Sequence, residues 1–371
     1  MDKIPVGILG ATGMVGQQYI ALLANHPWFE VRYVAASPRS AGKVYRAAVG
    51  GRWNATRGDL GGSDSPAAAS LIVEDANDVS KAIAAAKRGD CAFVFSALDM
   101  GKDEIKALEE SYAAAGIPVV SNASANRWTS DVPMLIAEVN PDHADIIPAQ
   151  KKNRNWDKGF IAVKPNCSIQ SYMTPLWALL RAGYRVERII VNTLQAVSGA
   201  GYPGVPSLDI VDNIVPYIEG EEEKTELEPM KILGTVQGNR ITNAASPRIS
   251  AHCNRVPVVD GHTACISLEF GGEKPSIDEI KRIWTSFKAL PQELDLPMAP
   301  LRPIIIREEQ DRPQPRKDRE VDKGMAVSVG RIRPCNVFDI RFVAVSHNTV
   351  RGAAGGGILN AELLKAKGYL G

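Results

Sequence analysis

The chain has 371 residues, of which 45% are hydrophobic and 23% charged, with 43 lysines and arginines against 42 aspartates and glutamates. This composition is typical of a globular protein with two or three domains, and it excludes a disordered, collagen-like or coiled-coil chain. The net charge of +1 provides no general positive field. We therefore expect no nucleic-acid or membrane-surface binding, and any anion must be bound locally.

The beginning of the chain leads directly into an apolar strand, so we expect no secretory leader. No run of 18 apolar residues occurs, so no transmembrane helix is expected. The spacing of the cysteines argues against a disulfide framework, and we expect a cytoplasmic protein. The five cysteines are Cys91, Cys167, Cys253, Cys265 and Cys335.

The first predicted strand, residues 6–9, is followed by a glycine-rich turn at 10–16 and a helix-like segment at 17–23. Glycines allow the backbone to approach a pyrophosphate, whose charge is then met by N–H groups at the helix start. The pattern predicts a dinucleotide site. Its spacing departs from G-x-G-x-x-G, so a turn without a ligand is the alternative for this motif alone. The predicted contacts are Gly10, Thr12, Gly13, Met14 and Val15.

A second strand, residues 29–36, ends in a loop that contains no carboxylate. An NAD-specific site usually places an acidic residue there to bind the ribose 2′-hydroxyl. Ser37, Arg39 and Ser40 instead offer hydroxyls and positive charge, which suit a 2′-phosphate. The predicted cofactor is therefore NADP, with a solvated surface loop as the alternative interpretation of Arg39.

Further apolar strands are predicted at residues 91–96 and 117–122, with a helix at 102–115 between them. Strands that alternate with helices predict an α/β fold with a doubly wound, Rossmann-like parallel sheet. Ligands of such sheets bind at the carboxyl ends of the strands. Ser96 and Leu98 are therefore expected near the nicotinamide.

The sequence Lys-Pro-Asn-Cys-Ser at 164–168 follows a strand at 160–163 and precedes a helix predicted at 169–182. A cysteine at a helix N-terminus has a lowered pKa, which makes Cys167 a candidate nucleophile. Pro175 kinks this helix or marks its true start, and in the second case the dipole argument weakens. A buried, inert cysteine is the alternative.

Arg255 and His262 lie seven residues apart, with a proline and a glycine between them. His262 is a candidate base for the thiol, and Arg255 is suited to bind a carboxylate through two parallel hydrogen bonds. The alternative for His262 is a structural histidine beside a turn.

Together, these motifs resemble the archaeal and fungal branch of the aspartate-semialdehyde dehydrogenases. The resemblance rests on the glycine turn, Pro-Asn-Cys-Ser at 165–168, Leu-Gln-Ala-Val-Ser-Gly-Ala-Gly at 194–201, the Arg255/His262 pair, and Asn348-Thr349 before a glycine-rich segment. It spans nearly the whole chain. It implies Cys167 as the nucleophile, Gln195 as the residue that orients the intermediate, His262 as the acid/base and Arg255 as the clamp on the substrate carboxylate.

The resemblance implies further contacts with the substrate and with NADP. Phosphate is expected to bind Arg127, Asn166 and Lys231, and the substrate ammonium to bind Glu228. The expected cofactor contacts include Ser198, Gly199 and Asn348. Pro229 is expected to break the helix here, and the acidic run at 221–226 is typical of a solvated face.

The implied reaction is the NADPH-dependent conversion of L-aspartyl-4-phosphate to L-aspartate-4-semialdehyde and phosphate, in lysine, threonine and methionine biosynthesis. It requires no metal. A zinc site of His252, Cys253, His262 and Cys265 is a rival interpretation, although neither C-x-x-C nor H-x3-H occurs there. An N-acetylglutamyl-phosphate reductase or a malonyl-CoA reductase would use the same pairing of cysteine with histidine. A non-enzymatic NADP-sensing scaffold would need only the dinucleotide turn.

The predicted NADP domain comprises residues 1–165 and 348–371, and an α+β catalytic and dimerisation domain comprises 166–347. Strands of a mixed sheet are expected at 188–196, 262–270 and 337–345. Residues 307–323 are highly charged and are expected to form a mobile exposed loop, or alternatively an interface arm. A homodimer or a homotetramer is expected.

Overall fold

A computed structural model describes residues 2–55, 60 and 66–371 of the chain. Two six-stranded sheets and one two-stranded sheet are found in these residues. The first large sheet comes from the first half of the chain and the second from the second half.

The first sheet is entirely parallel, with the strand order β3-β2-β1-β4-β5-β6. This order is that of a Rossmann-like doubly wound sheet, as predicted. The strands β1, β4, β5 and β6 are mostly apolar on both faces, as expected where helices cover both sides of a sheet. The strands are β1 (Ile4–Leu9), β2 (Phe29–Ala36), β3 (Val73–Asp75), β4 (Phe93–Ser96), β5 (Val119–Ser121) and β6 (Ile161–Val163). The helices are α1 (Met14–Leu23), α2 (Tyr45–Val49), α3 (Val79–Arg88), α4 (Lys102–Ala114) and α5 (Ile147–Arg154).

The second large sheet is mixed, as predicted, with the order β10-β7-β11-β14-β13-β12. Its strands are β7 (Val186–Gln195), β10 (Arg248–Arg255), β11 (His262–Phe270), β12 (Ile304–Arg307), β13 (Val327–Pro334) and β14 (Ile340–Ser346), and the two-stranded sheet is β8 (Thr235–Gln237) with β9 (Arg240–Thr242). The helices are α6 (Met173–Arg181), α7 (Ser207–Ile210), α8 (Glu221–Ile232), α9 (Ile277–Ser286), α10 (Leu290–Glu293), α11 (Pro315–Asp318) and α12 (Gly355–Ala366).

The C-terminal helix α12 returns to the first sheet. Its residues Ile358, Ala361 and Leu364 belong to the same buried cluster as Val6 and Ile8 of β1. In the described parts of the chain, no helix is long and apolar enough to cross a membrane.

The prediction of a mobile loop at 307–323 is wrong for the second half of this segment, which is folded. The segment contains α11, and the buried carboxylate of Asp318 pairs with Arg307 and Arg312. Asp318 also accepts a hydrogen bond of 2.6 Å from the N–H of Gln314. Opposite charges at these positions neutralise one another across a folded turn, while residues 308–311 are exposed as predicted.

The expected helix break at Pro229 is also wrong, because α8 continues through it. A proline in a helix removes the N–H that would bond to the carbonyl four residues earlier. That carbonyl belongs to Thr225, and the hydroxyl of Tyr172 donates a hydrogen bond of 3.1 Å to it. An external donor thus satisfies the oxygen that the proline leaves without a partner.

The acidic run at the start of α8 covers the edge of the second sheet. Strand β10 lies at this edge, and its N–H groups at Cys253 and Ala251 donate to Glu222 and Glu226 at 3.1 Å and 3.0 Å. Glu221 is itself buried. The alternative interpretation of a solvated face therefore does not hold for these residues, because Glu222 and Glu226 accept hydrogen bonds from the open sheet edge and Glu221 is buried.

Candidate active site

The site forms where strand ends of the two large sheets meet. Cys167 follows β6 of the first sheet, while Gln195 and Arg255 end the parallel strands β7 and β10. His262 begins β11, which runs antiparallel to β7, with Thr263 opposite Leu194. The topology therefore places four predicted site residues at one junction, although 95 positions separate Cys167 from His262.

Cys167 and His262 are in direct contact, with 3.2 Å between Sγ and Nε2. The cysteine is partly exposed, whereas the histidine is completely buried. The backbone N–H of Ala196 donates a hydrogen bond of 3.0 Å to the Nδ1 atom of His262. Because Nδ1 accepts this bond, the proton of the neutral ring lies on Nε2, which faces the sulfur.

The charge state of this pair differs from the sequence prediction. Burial, followed by the carboxylate of Glu221, raises the pKa of the Cys167 thiol to about 11, against the opposing effects of Lys164, Arg127 and Arg255. Burial and the nearby Arg255 lower the pKa of His262 to about 3. The resting pair is therefore a neutral thiol beside a neutral imidazole, and the prediction of a lowered thiol pKa is wrong.

The backbone around Cys167 explains this difference. Only a single 3-10 turn, Ser168–Ser171, follows the cysteine, and α6 starts at Met173 after a break at Tyr172. Pro175 lies in the first turn of α6, so it marks the true start of the helix. One short turn provides little of the dipole that the predicted helix at 169–182 would supply.

Arg255 lies beside the Cys167–His262 pair and is largely buried. Its Nη1 atom donates a hydrogen bond of 2.8 Å to the carbonyl oxygen of Ala196. The peptide groups of Ala196 thus fix both Arg255 and His262. Gly199 packs against the same two side chains: a Cβ atom there would lie 2.8 Å from Nη1 of Arg255 and 3.2 Å from Cε1 of His262.

Replacing Gly199 with alanine should lower kcat/KM about 10- to 100-fold, because the new methyl group would displace Arg255 and His262 from their positions. The thermal midpoint should stay close to that of the unmodified protein. The measurement is steady-state kinetics together with thermal denaturation. Gly51→Ala is the matched control, since no atom lies within 4 Å of its Cβ position; equal activity of both variants would contradict the close approach at Gly199.

Gln195 and Asn166 both bind the carboxylate of Glu221. Nε2 of Gln195 donates to it at 3.2 Å, and Nδ2 of Asn166 donates to both of its oxygens at 2.9 Å. Nζ of Lys224 completes the shell at 2.9 Å. Neither Glu221 nor Lys224 is among the predicted site residues, yet both border the site.

The remaining predicted substrate residues form a second network beneath the first. Arg127 donates to Glu228 at 2.8 Å, and the N–H of Asn166 donates to Glu228 at 2.6 Å. Nζ of Lys231 donates to the carbonyl oxygens of Arg127 and Thr129 at 2.6 Å and 2.8 Å. Glu228 and Lys231 are buried and engaged in these bonds. These bonds hold the Arg127 loop, so Glu228 and Lys231 have partners within the protein in place of their expected ligands.

A sequence pattern could have identified Glu221 and Lys224. The spacing E-x-x-K occurs at these two residues and again at Glu228 and Lys231. The two copies lie seven residues apart, which places them on the same face of α8, two turns from each other. Only the fold shows which copy is nearer to Cys167.

The glycine turn after β1 fits a dinucleotide pyrophosphate. Gly10 has a φ of +76°, and a Cβ atom there would lie 2.3 Å from the carbonyl oxygen of Ala97 after β4. The turn thus packs into the crevice between β1 and β4, where the strand order reverses. Helix α1 begins at Met14 with no side-chain cap at Gly13. The N–H groups of this first turn have no partner within the helix, so they are available to bind an anion. The turn includes Val15, and Thr12 lies just before it.

The loop after β2 places Ser37 and Arg39 at the surface, whereas Ser40 is buried. This loop lacks a carboxylate, but Asp75 of β3 lies opposite Ala36 in the sheet. The carboxylate of Asp75 accepts hydrogen bonds of 2.9 Å and 3.0 Å from Asn77, so it is engaged in a local turn.

The other predicted cofactor residues occupy the walls of the junction. Leu98 is buried beside Gly10, and Ser96 is completely buried against Glu109.

Asn348 donates to Oγ of Ser198 and accepts from the N–H of Gly261, both at 2.8 Å. Both ends of its amide therefore position the segments that flank His262.

The zinc interpretation has no ligand set in residues 2–55, 60 and 66–371, where no group of three histidine, cysteine or acidic side chains could hold a metal. His252 is exposed and Cys253 is buried, on opposite faces of β10.

Comparisons with known proteins agree with this geometry. Residues 5–147 match the semialdehyde dehydrogenase NAD-binding domain, and residues 176–351 match the semialdehyde dehydrogenase dimerisation domain. The aspartate-semialdehyde dehydrogenase of Archaeoglobus fulgidus is 46% identical over 98% of each chain, and that of Aspergillus fumigatus is 44% identical over 99% of each. The crystal structure of aspartate-semialdehyde dehydrogenase with NADP from Candida albicans has a TM-score of 0.87 and 40% identity, covering 99% of this chain and 100% of that one.

Proposed function

The chain belongs to the aspartate-semialdehyde dehydrogenase family, and we propose that it interconverts L-aspartyl-4-phosphate and L-aspartate-4-semialdehyde through a thioester on Cys167. It is an NADP-dependent oxidoreductase of amino-acid biosynthesis. The observation that carries the mechanism is the 3.2 Å contact between Sγ of Cys167 and Nε2 of His262, with Arg255 and Arg127 close to the sulfur.

In the reductive direction, the sulfur of Cys167 attacks the acyl carbon and the carbon–oxygen bond to phosphate breaks. The thiol proton leaves with the phosphate, and a thioester remains. Bound NADPH supplies the hydride that reduces this thioester. The resulting alkoxide expels the sulfur as a thiolate, releases the aldehyde, and the thiolate takes a proton from solvent. Sulfur is suited to both roles because it is a good nucleophile and a good leaving group.

His262 acts in this scheme as a hydrogen-bond donor. Its Nδ1 accepts from Ala196, so its Nε2–H is directed at the sulfur. The same N–H can stabilise the thiolate and the alkoxide. Abstraction of the thiol proton by Nε2 would require the ring proton to move to Nδ1 and the bond to Ala196 to break. We therefore propose donation, in place of the predicted base role.

Two arginines divide the substrate between them. Arg255 binds the α-carboxylate and Arg127 binds the phosphate, because a planar guanidinium matches either oxyanion through two parallel hydrogen bonds. Glu221 binds the substrate ammonium, and Lys224 assists with phosphate. These two replace Glu228 and Lys231, because the charge of Glu221 acts on both Cys167 and His262, whereas Glu228 and Lys231 hold the Arg127 loop. Gln195 and Asn166 orient Glu221.

NADP binds with its pyrophosphate at the turn after β1 and its 2′-phosphate at Arg39. The close approach at Gly10, the uncapped start of α1 and the exposed position of Arg39 support this placement.

Replacing Arg39 with alanine should raise the KM for NADP about 10- to 100-fold and leave the KM for NAD nearly unchanged, since only NADP carries the 2′-phosphate. The measurement is the ratio of kcat/KM for the two cofactors. Arg32→Ala is the control, because Arg32 is exposed on β2 and pairs with Glu30. An unmodified protein that uses both cofactors equally well would show that this loop does not contact the phosphate.

The organisation of the chain is also part of the proposal. One domain comprises residues 1–165 and 348–371, supported by the packing of α12 on the first sheet, and the other comprises 166–347. The protein forms a homodimer or a homotetramer through the dimerisation domain, which light scattering would distinguish. All five cysteines are free, which supports a cytoplasmic location.

The deciding experiment is NADPH formation from L-aspartate semialdehyde and NADP, followed by absorbance, with and without inorganic phosphate. We expect formation only when phosphate is present. An N-acetylglutamyl-phosphate reductase would reject this aldehyde, and a malonyl-CoA reductase would need no phosphate. An NADP-sensing scaffold would bind the cofactor without turnover.

A further inference from the structure

Lys164 is a buried cation near the proposed nucleophile. It follows β6 and precedes Pro165, and only 2% of its surface is exposed. Its Nζ atom donates to the carbonyl oxygen of Pro165 at 2.8 Å and to that of Gly352. No role for this side chain follows from the motifs, from the family resemblance or from the mechanism above.

The two carbonyl groups that Lys164 binds belong to backbone segments next to Cys167. Pro165 precedes the cysteine by two residues. Gly352 belongs to the segment between β14 and α12, and a Cβ atom there would lie only 2.8 Å from Cβ of Cys167. The ammonium group therefore ties together the two backbone segments that enclose the cysteine, one after β6 and one from the C-terminal part of the chain.

The charge of Lys164 acts on the same cysteine. Three cations, Lys164, Arg127 and Arg255, favour the thiolate, and the effect of Lys164 is the largest of the three. Arg127 is paired with Glu228 at 2.8 Å. Within the described part of the chain Lys164 forms no salt bridge, since both of its hydrogen-bond acceptors are neutral carbonyl groups. Its charge is thus compensated less directly than that of Arg127.

We propose that Lys164 is a positioning residue for Cys167, whose buried ammonium is held beside the cysteine by the carbonyl groups of Pro165 and Gly352 and stabilises the thiolate. This inference rests on the proposed role of Cys167 as the nucleophile. It adds a residue from outside the predicted binding and catalytic groups.

This role predicts a characteristic pH dependence of thiolate formation at Cys167. Burial and the neighbouring Arg127 lower the pKa of Lys164 to about 7, and Arg351 acts in the same direction, while Cys167 and Glu228 act in the opposite one. The ammonium form, which favours the thiolate, is therefore present below this pH and is lost as the pH rises through it. A thiolate in turn favours the ammonium, so the two groups titrate together.

In the unmodified protein, this coupling should flatten part of the plot of alkylation rate against pH. The logarithm of the alkylation rate at Cys167 should rise with a slope of one below about pH 7, flatten just above it, and then rise again. In Lys164→Met the profile should be a straight line of slope one. The variant should be about tenfold slower at about pH 6, and the two rates should converge towards about pH 9.

The experiment measures the rate of iodoacetamide modification at Cys167 in the substrate-free full-length protein, from about pH 6 to about pH 9. Peptide mass spectrometry must quantify the Cys167 peptide separately, because the pKa of Cys335 is lowered, after a burial effect that raises it, by hydrogen bonds from Phe338 and Val337. Lys164→Gln retains a hydrogen-bond donor without the charge and should behave like Lys164→Met. Lys158→Met, at an exposed lysine, should match the unmodified protein.

Two results would overturn the proposal: equal rates in all proteins at every pH, or a reduction by the same factor at every pH, which a purely structural role would give. If the Lys164 variants do not fold, the unmodified protein still decides, since a slope of one throughout would exclude coupling to a titrating lysine. The outcome is separate from the proposed activity, because alkylation needs neither substrate nor phosphate.

Discussion

Replacing Cys167 with serine should lower kcat on the order of 10⁴-fold or more while the protein remains folded. Serine is close to cysteine in size, and the site needs only a small side chain between His262 and Gly352. The loss comes from chemistry: a hydroxyl ionises far less readily than a thiol, and an oxygen ester resists attack by phosphate and reduction by hydride much more strongly than a thioester. No other group in the proposed mechanism replaces these properties.

The measurement is phosphate-dependent NADPH formation from L-aspartate semialdehyde, with circular dichroism to verify the fold. Cys265→Ser is the matched control, because Cys265 is exposed on the second sheet and should leave kcat unchanged. A Cys167→Ser variant that kept a tenth of the activity would end the thioester mechanism, whatever the geometry of the pair.

The sequence predicts the order of elements well because that order depends on local patterns. Strands such as Phe29–Ala36 and His262–Phe270 are found with the predicted bounds, since apolar runs between turn residues depend little on distant contacts. Residue types predict that His262 serves the Cys167 thiol and that Arg255 binds a carboxylate, but they do not show how the chain brings the three together. Nothing local indicates that β7 lies between β10 and β11 and brings their ends together.

The wrong predictions for α8 share a physical cause, which is a partner supplied from far along the chain. Pro229 remains in a helix because Tyr172 binds the carbonyl that the proline leaves free. Glu222 and Glu226 are engaged because a strand edge needs acceptors. In each case tertiary contacts override a sound local rule.

The pKa of the Cys167 thiol also depends on tertiary contacts that the sequence does not show. A helix start can be anticipated from the sequence, but desolvation of Cys167 and the approach of Glu221 depend on the packing of α8 against the junction. Activation of the cysteine therefore depends on charges from several elements. Lys164, Arg127 and Arg255 favour the thiolate, and Glu221 opposes it.

Replacing each of the two site arginines with lysine should separate the two anion sites. Arg255→Lys should raise the KM for L-aspartate semialdehyde about 10- to 100-fold and leave that for phosphate nearly unchanged, and Arg127→Lys should do the reverse. Lysine keeps the charge but cannot form two parallel hydrogen bonds with a carboxylate or a phosphate. Removing the charge at Arg127 altogether would leave the buried carboxylate of Glu228 without its cation, so a leucine variant would mix instability with lost binding.

The KM values for both substrates are measured in the phosphorylating direction, with saturating NADP and each substrate varied in turn. Arg248→Lys is the control for the lysine substitutions, since Arg248 is exposed at the far end of β10 from Arg255. The two effects should be separate because different parts of the chain hold the two arginines. Arg255 donates to the backbone of Ala196, beside His262. Arg127 donates to Glu228 and to the carbonyl oxygens of Lys164 and Asn122. If both variants raised both KM values equally, one shared anion site would replace two, and the orientation proposed for the substrate would have to be abandoned.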